Sequence, residues 1–244
     1  MVDATTAATV GIVFLGTVVR ASLGFGEALV AVPLLALVMP VEQAAPLAVL
    51  VSITVALLIL LRDWRQVQFG GAGRLLGSTL FGIPVGLWML RTMPESVVKG
   101  VLAVLLMAFS LHVLRGRLTH TLPDDRWAWV FGLQAGGLGG AYGMNGPPLV
   151  VYGALRRWRP EEFRATLQAY FLPAGVAGMG GYWVAGLWTE AVTQYYVASL
   201  PGVLVAVVVG RAIHARVPAG RFPVYVHVGL LGIGAALLAQ AVGG

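Results

Sequence analysis

Two stretches restrict the fold before any motif is considered. Residues 44–61, "AAPLAVLVSITVALLILL", and 101–114, "VLAVLLMAFSLHVL", contain no Asp, Glu, Lys or Arg. Runs of this kind suit helices in lipid, where about 20 apolar residues cross about 30 Å of hydrocarbon. Ten apolar segments follow one another along the chain: 7–22, 27–39, 43–61, 75–91, 97–114, 127–141, 146–156, 165–186, 190–210 and 222–242. Charged residues make up 11% of the chain and hydrophobic ones 58%, against about 25% and 45–50% in a soluble domain. The expected class is an all-α integral membrane protein with the lipid bilayer as its solvent. The N-terminal segment has no Lys or Arg before it, so it reads as a retained helix, not a cleaved signal.

Within that apolar background two places break the helical pattern. They are "GFGEALVAVP", Gly24–Pro33, and "GGLGGAYGMNGPP", Gly136–Pro148. The segments that follow them, 27–39 and 146–156, are too short to cross the bilayer alone. An offset of 119 aligns Gly24 with Gly143, Val32 with Val151 and Glu42 with Glu161. After a one-residue slip, Leu80-Phe81-Gly82 meets Leu200-Pro201-Gly202, and Arg91 meets Arg211. The chain therefore reads as two membrane repeats, 1–115 and 126–244, joined by a linker at 116–125.

Basic residues orient the repeats. Four connections hold most of them: Arg62, Arg65 and Arg74; Arg115, Arg117 and Arg126; Arg156, Arg157, Arg159 and Arg164; and Arg211, Arg216 and Arg221. The other connections hold only Arg91 and Lys99. Under the positive-inside rule the first four are cytoplasmic and both termini periplasmic. This closes only if each repeat begins with two segments that leave and return on one side, as a re-entrant hairpin or two short crossings. Each repeat then has five segments and the second is inverted. A count that fuses each short pair into one broken helix gives eight helices and parallel repeats. The charge distribution favours inversion. The same distribution, at the ends of apolar runs and not on one face, excludes nucleic acid as the reason for the net charge of +6.

Broken backbone at lipid depth is tolerated only where it is buried in protein or lines a polar cavity. Two breaks in matching places point to a shared midplane site, where the N-termini of the short helices favour an anion. Pro147 and Pro148 suit a first helical turn. Isolated glycines such as Gly178, Gly180 and Gly181 read as helix-packing residues. Arg20 and Glu27 flank the first break. Arg20 would hold an anionic substrate and Glu27 would carry a coupling proton, or the two would form a purely structural ion pair. The further substrate-binding candidates are Gly24, Gly26, Gln134, Tyr142, Gly143, Asn145, Gly146, Pro147 and Gln168, with Ser52, Thr54 and Tyr170 as lesser polar candidates. Asn145 stands out because it lies inside a break. The histidines His112, His120, His214 and His227 show no metal-ligand spacing, and the chain has no cysteine; no metal or cofactor is expected. His120 and His214 are expected in loops, and Trp64, Trp127, Trp129, Trp158 and Trp188 near segment ends. No G-x-S-x-G, H-E-x-x-H or paired-Asp motif is present, which argues against an enzyme.

At "GFGEALVAVP" and "GGAYGMNGPPLVVYGAL" the chain resembles the TauE/SafE sulfite-exporter family of bacterial membrane transporters. The resemblance rests on Gly24, Gly26 and Pro33, then Gly143, Gly146, Pro147 and Pro148, and it extends over nearly the whole chain. It implies a secondary transporter of the inner membrane that exports sulfite, sulfoacetate or other sulfonates. A second copy of the chain, in a homodimer, is a further expected partner. Glu27 and Asn145 stand where the family commonly has glycine. An anion channel of the same fold is the alternative.

Overall fold

The computed structural model describes residues 4–63, 69–116, 121–216 and 222–243. Trp64, Arg65, Arg117, His120 and Arg221 lie outside the described residues. Ten helices and no strand are found among the described residues: α1 (Ala4–Leu23), α2 (Glu27–Leu35), α3 (Val41–Asp63), α4 (Phe69–Thr92), α5 (Glu95–Arg115), α6 (Ala128–Tyr142), α7 (Gly146–Leu155), α8 (Pro160–Val184), α9 (Glu190–Arg216) and α10 (Phe222–Gly243). Each of the ten apolar segments is one helix. Six helices, α1, α3, α4, α5, α9 and α10, are long and apolar enough to cross a membrane. His214 belongs to α9 and not to a loop, because the apolar pattern runs on past its charged end.

Both breaks form in the same way. α1 and α6 each end on a glycine in the left-handed region, Gly24 at φ +87° and Gly143 at φ +64°. That conformation is cheap only without a Cβ. The Gly24 N–H closes the helix by donating to the Arg20 carbonyl (2.7 Å), and the Gly143 N–H to the Gly139 carbonyl (2.8 Å). Helix ends, capping glycines and the starts of α2 and α7 all keep the offset of 119.

The chain then doubles back. A methyl at Gly16 of α1 would lie 3.1 Å from the Ala31 Cβ of α2. The rings of Phe131 on α6 and Tyr152 on α7 stand 5.5 Å apart. Such contacts need antiparallel hairpins, so the count of eight fused helices is replaced by ten. α2 has nine residues, about 13 Å of rise, less than half the hydrocarbon thickness.

The main helix pairs join the two halves: α1 with α9, α4 with α6, α3 with α8 and α5 with α10. Exchanging α1–α5 for α6–α10 returns the same set of pairs. The closest pair, α4 with α6, explains much of the glycine content. Gly136 and Gly140 repeat every four residues on α6 and face α4. A Cβ on Gly136 would overlap the Thr79 carbonyl oxygen, and one on Gly140 the Ile83 carbonyl oxygen. Gly132, Gly82 and Gly86 sit equally close to the opposite backbone. This is small-residue packing, the close approach that drives helix association in lipid. "GGLGGAYGMNGPP" is therefore two features in one: a packing face, Gly136 and Gly140, running into a break at Gly143. Of the glycines expected to pack, Gly181 meets the Leu87 side chain, whereas Gly178 and Gly180 have open space where a Cβ would point.

Gly136→Val should push α4 off α6 and lower the thermal midpoint in detergent, since overpacking costs about 1–3 kcal/mol. Gly178→Ala, in open space, should leave the midpoint unchanged; thermal unfolding of the two purified variants checks both.

Candidate functional site

Arg20 lies in the last turn of α1, buried with 2% of its surface exposed. Its guanidinium is the junction of four helices. Nη1 donates to Glu27 Oε2 at the start of α2 and to Ser52 Oγ on α3, each at 2.6 Å. Nη2 and Nε both reach Gln168 Oε1 on α8, at 2.7 and 3.2 Å. The Phe171 ring lies beneath, 4.9 Å from the guanidinium carbon, within cation–π range. Gln168 turns its amide the other way, donating from Nε2 to the Gly24 carbonyl at 2.6 Å. One side chain thereby holds both the arginine and the broken backbone beside it. Glu27 Oε1 and the Thr17 hydroxyl facing it are buried, and neither completes a hydrogen bond of good geometry.

These groups line a cavity of about 20 Å³, enough for roughly one water. The first break contributes Phe25, Gly26 and Glu27, and the second Gly143, Met144, Asn145, Gly146 and Pro147. Arg20, Ser52 and Phe171 complete much of the wall. Neither α2 nor α7 has a side-chain cap at its N-terminus. Free first-turn N–H groups of both helices therefore lie at the cavity. Pro147 and Pro148 remove two of those donors from α7, leaving α2 the richer end. Arg20 and Glu27 cancel in charge, so the wall is neutral overall. An anion entering here would compete with Glu27 for Arg20.

Of the residues expected at the site, Arg20, Gly26, Glu27, Gly143, Asn145, Gly146 and Pro147 are brought together at the cavity. Gln168 reaches it through Arg20. Gly24 serves by its carbonyl and its turn, not by lining the cavity. Gln134 and Tyr142 lie elsewhere, along an apolar crevice of about 640 Å³ between α4, α5, α6 and α7. The Tyr142 hydroxyl donates to the Val98 carbonyl at 2.9 Å. Thr54 pairs with Tyr196 (2.6 Å) and Tyr170 with Thr79 (2.5 Å), as interhelical hydrogen bonds. Phe25, Met144 and Phe171 also line the cavity, beyond the expected residues; Phe25 and Met144 sit inside the quoted motifs, and no polar atom marks any of the three. Among the described residues no group of three or more His, Asp or Glu is placed to hold a metal.

A family model, sulfite exporter TauE/SafE, matches residues 9–237. The chain belongs to the TauE/SafE family. No curated protein and no solved structure matches it. TauE/SafE membership and the six long apolar helices make the chain a multi-pass membrane protein of a transporter family. The match covers both breaks and the whole of the Arg20 junction.

The Arg20–Glu27 pair should be coupled in stability. Arg20→Met leaves Glu27 buried without its cation and should cost about 3–5 kcal/mol. Arg20→Met with Glu27→Gln should recover much of that loss. Thermal unfolding of the two singles and the double checks the coupling.

Proposed function

We propose that this TauE/SafE protein is a secondary carrier that moves sulfite or a small sulfonate through the cavity between the two breaks. The observation that carries the reading is that both helix breaks and the Arg20–Glu27 pair line one buried cavity. Arg20 supplies the charge and the fork of donors that an oxyanion needs. The first-turn N–H groups of α2 add directed donors. The cavity is smaller than a sulfite ion, so the anion enters only as the breaks separate. Glu27 then carries the coupling proton: protonation frees Arg20 Nη1 for the anion, and deprotonation restores the pair and expels it.

The two halves, 1–115 and 126–244, act as inverted repeats. The cross-half pairing fits two equivalent repeats, because it is unchanged when the halves are exchanged, and the placement of the basic connections supports their inversion. Alternating access follows from rocking one half against the other around the cavity. The arginine-rich connections, 156–159 among them, face the cytoplasm, with both termini outside the inner membrane.

Counterflow of labelled sulfite in proteoliposomes tests the reading. A carrier gives saturable uptake that is stimulated by sulfite on the far side. Conductance without saturation or counterflow would instead make the protein a channel of the same fold, and no movement of any sulfur anion would remove the substrate assignment.

Three variants sharpen the test. Arg20→Ala should insert in the membrane yet lose sulfite binding in a thermal-shift titration. Glu27→Gln should flatten the pH profile of transport; among the described residues Arg20 is the charged group paired to it. Gly146 lines the cavity, and a methyl there would have no neighbour within 4 Å. Gly146→Ala should therefore keep its thermal midpoint while losing affinity by about tenfold, a difference of about 1.4 kcal/mol.

A further inference from the structure

Each break has three residues, and the middle one is apolar in both. Phe25 follows Gly24, and Met144 follows Gly143, at the same offset of 119. Both line the cavity. The two breaks lean on different neighbours. A Cβ on Gly24 would lie 3.1 Å from the Arg164 Cγ, in the first turns of α8. A Cβ on Gly143 would lie 2.7 Å from the Ala45 carbonyl oxygen, in the first turns of α3. Arg164 and Ala45 are themselves 119 apart, so the two contacts are mates. The first break thus reaches toward the arginine-rich connection at 156–159, and the second toward the connection at 36–40.

The material behind each side chain follows the same division. The Phe25 ring stands edge-on to Phe163, with 6.0 Å between centroids, and Trp158 fills the space over Gly153 next to Phe163. Met144, 2% exposed, separates the cavity from the apolar crevice and lines both. That crevice reaches Met93, and Met93 and Pro40 line one small pocket. The crevice runs from that end, where the 36–40 and 93–94 connections meet, back to Phe131 in the first turn of α6, so the side that Met144 faces is set by the Ala45 contact of its break.

We propose that Phe25 and Met144 are the two gates of the cavity, Phe25 toward the 156–159 connection and Met144 toward the 36–40 connection. The assignment rests on the transport reading. An apolar side chain across a narrow opening excludes water, and an anion that must shed its hydration cannot pass. Alternation requires one of the two to stay shut while the other swings with its break. Equivalent positions in the two halves give each gate the same backbone hinge, a left-handed glycine immediately before it.

The chain has no cysteine, so single-cysteine variants report directly. Phe25→Cys and Met144→Cys would be reconstituted in sealed vesicles and treated with a charged, membrane-impermeant thiosulfonate, first from one side and then from the other. Arg157→Cys marks the side of the 156–159 connection. Phe25→Cys should react only from the Arg157 side, and Met144→Cys only from the opposite side. Reaction of both from one side, of both from either side alike, or of neither, overturns the gate assignment. Should a gate variant fail to fold, Phe163→Cys, whose ring stands against Phe25, and Leu138→Cys, which lines the crevice with Met144, give the same sidedness readout. Sidedness is measured without substrate. A wild-type protein that moves no sulfur anion therefore overturns the carrier function, whereas labelling of both variants from the same side overturns the gates while transport stands.

Discussion

Backbone N–H and C=O groups that leave a helix inside a bilayer have no water to pair with, and each unpaired group costs several kcal/mol. The chain leaves its helices twice between apolar segments, at 24–26 and 143–145. Everything distinctive in the fold answers that cost. Left-handed glycines close the ends of α1 and α6 with one backbone hydrogen bond each. Gln168 takes the Gly24 carbonyl. The hairpins are shielded because the long helices pair across the halves around them. The groups left over, chiefly the first-turn N–H groups of α2 and α7, face one another across a small cavity.

The halves bring different things to that cavity. Arg20 and Glu27 occupy positions whose mates in the second half are Gly139 and Gly146. A Cβ on Gly139 would meet the Asn145 amide, 2.5 Å from Nδ2, while one on Gly146 would meet nothing. The first half contributes charge and the second contributes room. A symmetric pair of ion pairs would crowd four charged groups into one dry space, at a desolvation cost their attraction would not recover. With a single pair, Arg20 and Glu27 are the two charged groups at the cavity wall, and Gly146 stands there without a side chain.

Much of this was legible in the sequence, for identifiable reasons. Ten apolar segments became ten helices because a charge-free run has few other options in lipid. Gly24 and Gly143 were legible because ending a helix in the left-handed region calls for glycine. Arg20 and Glu27 were legible because ionised groups are rare in such segments. The partners of Arg20 were harder to see. Ser52 is 32 residues away and Gln168 is 148 away, and no local pattern ties a polar residue on one helix to an arginine on another. Gln134 and Tyr142 looked equivalent to Gln168 from composition, yet they face the crevice. Gly136 and Gly140 were read with the break because a glycine looks the same whether its missing Cβ admits a neighbouring backbone or a turn. Only the register of α4 against α6 separates the two.

The central claim is that the anion sits between the two breaks, against Arg20. Selenite, the heavier analogue of sulfite, tests it most directly, because selenium gives an anomalous signal in crystals of the protein. The account predicts one selenium peak in the cavity, within hydrogen-bond reach of Arg20 through its oxygens and beside Gly146. A peak confined to the arginine-rich connection at 156–159, with none in the cavity, would contradict it.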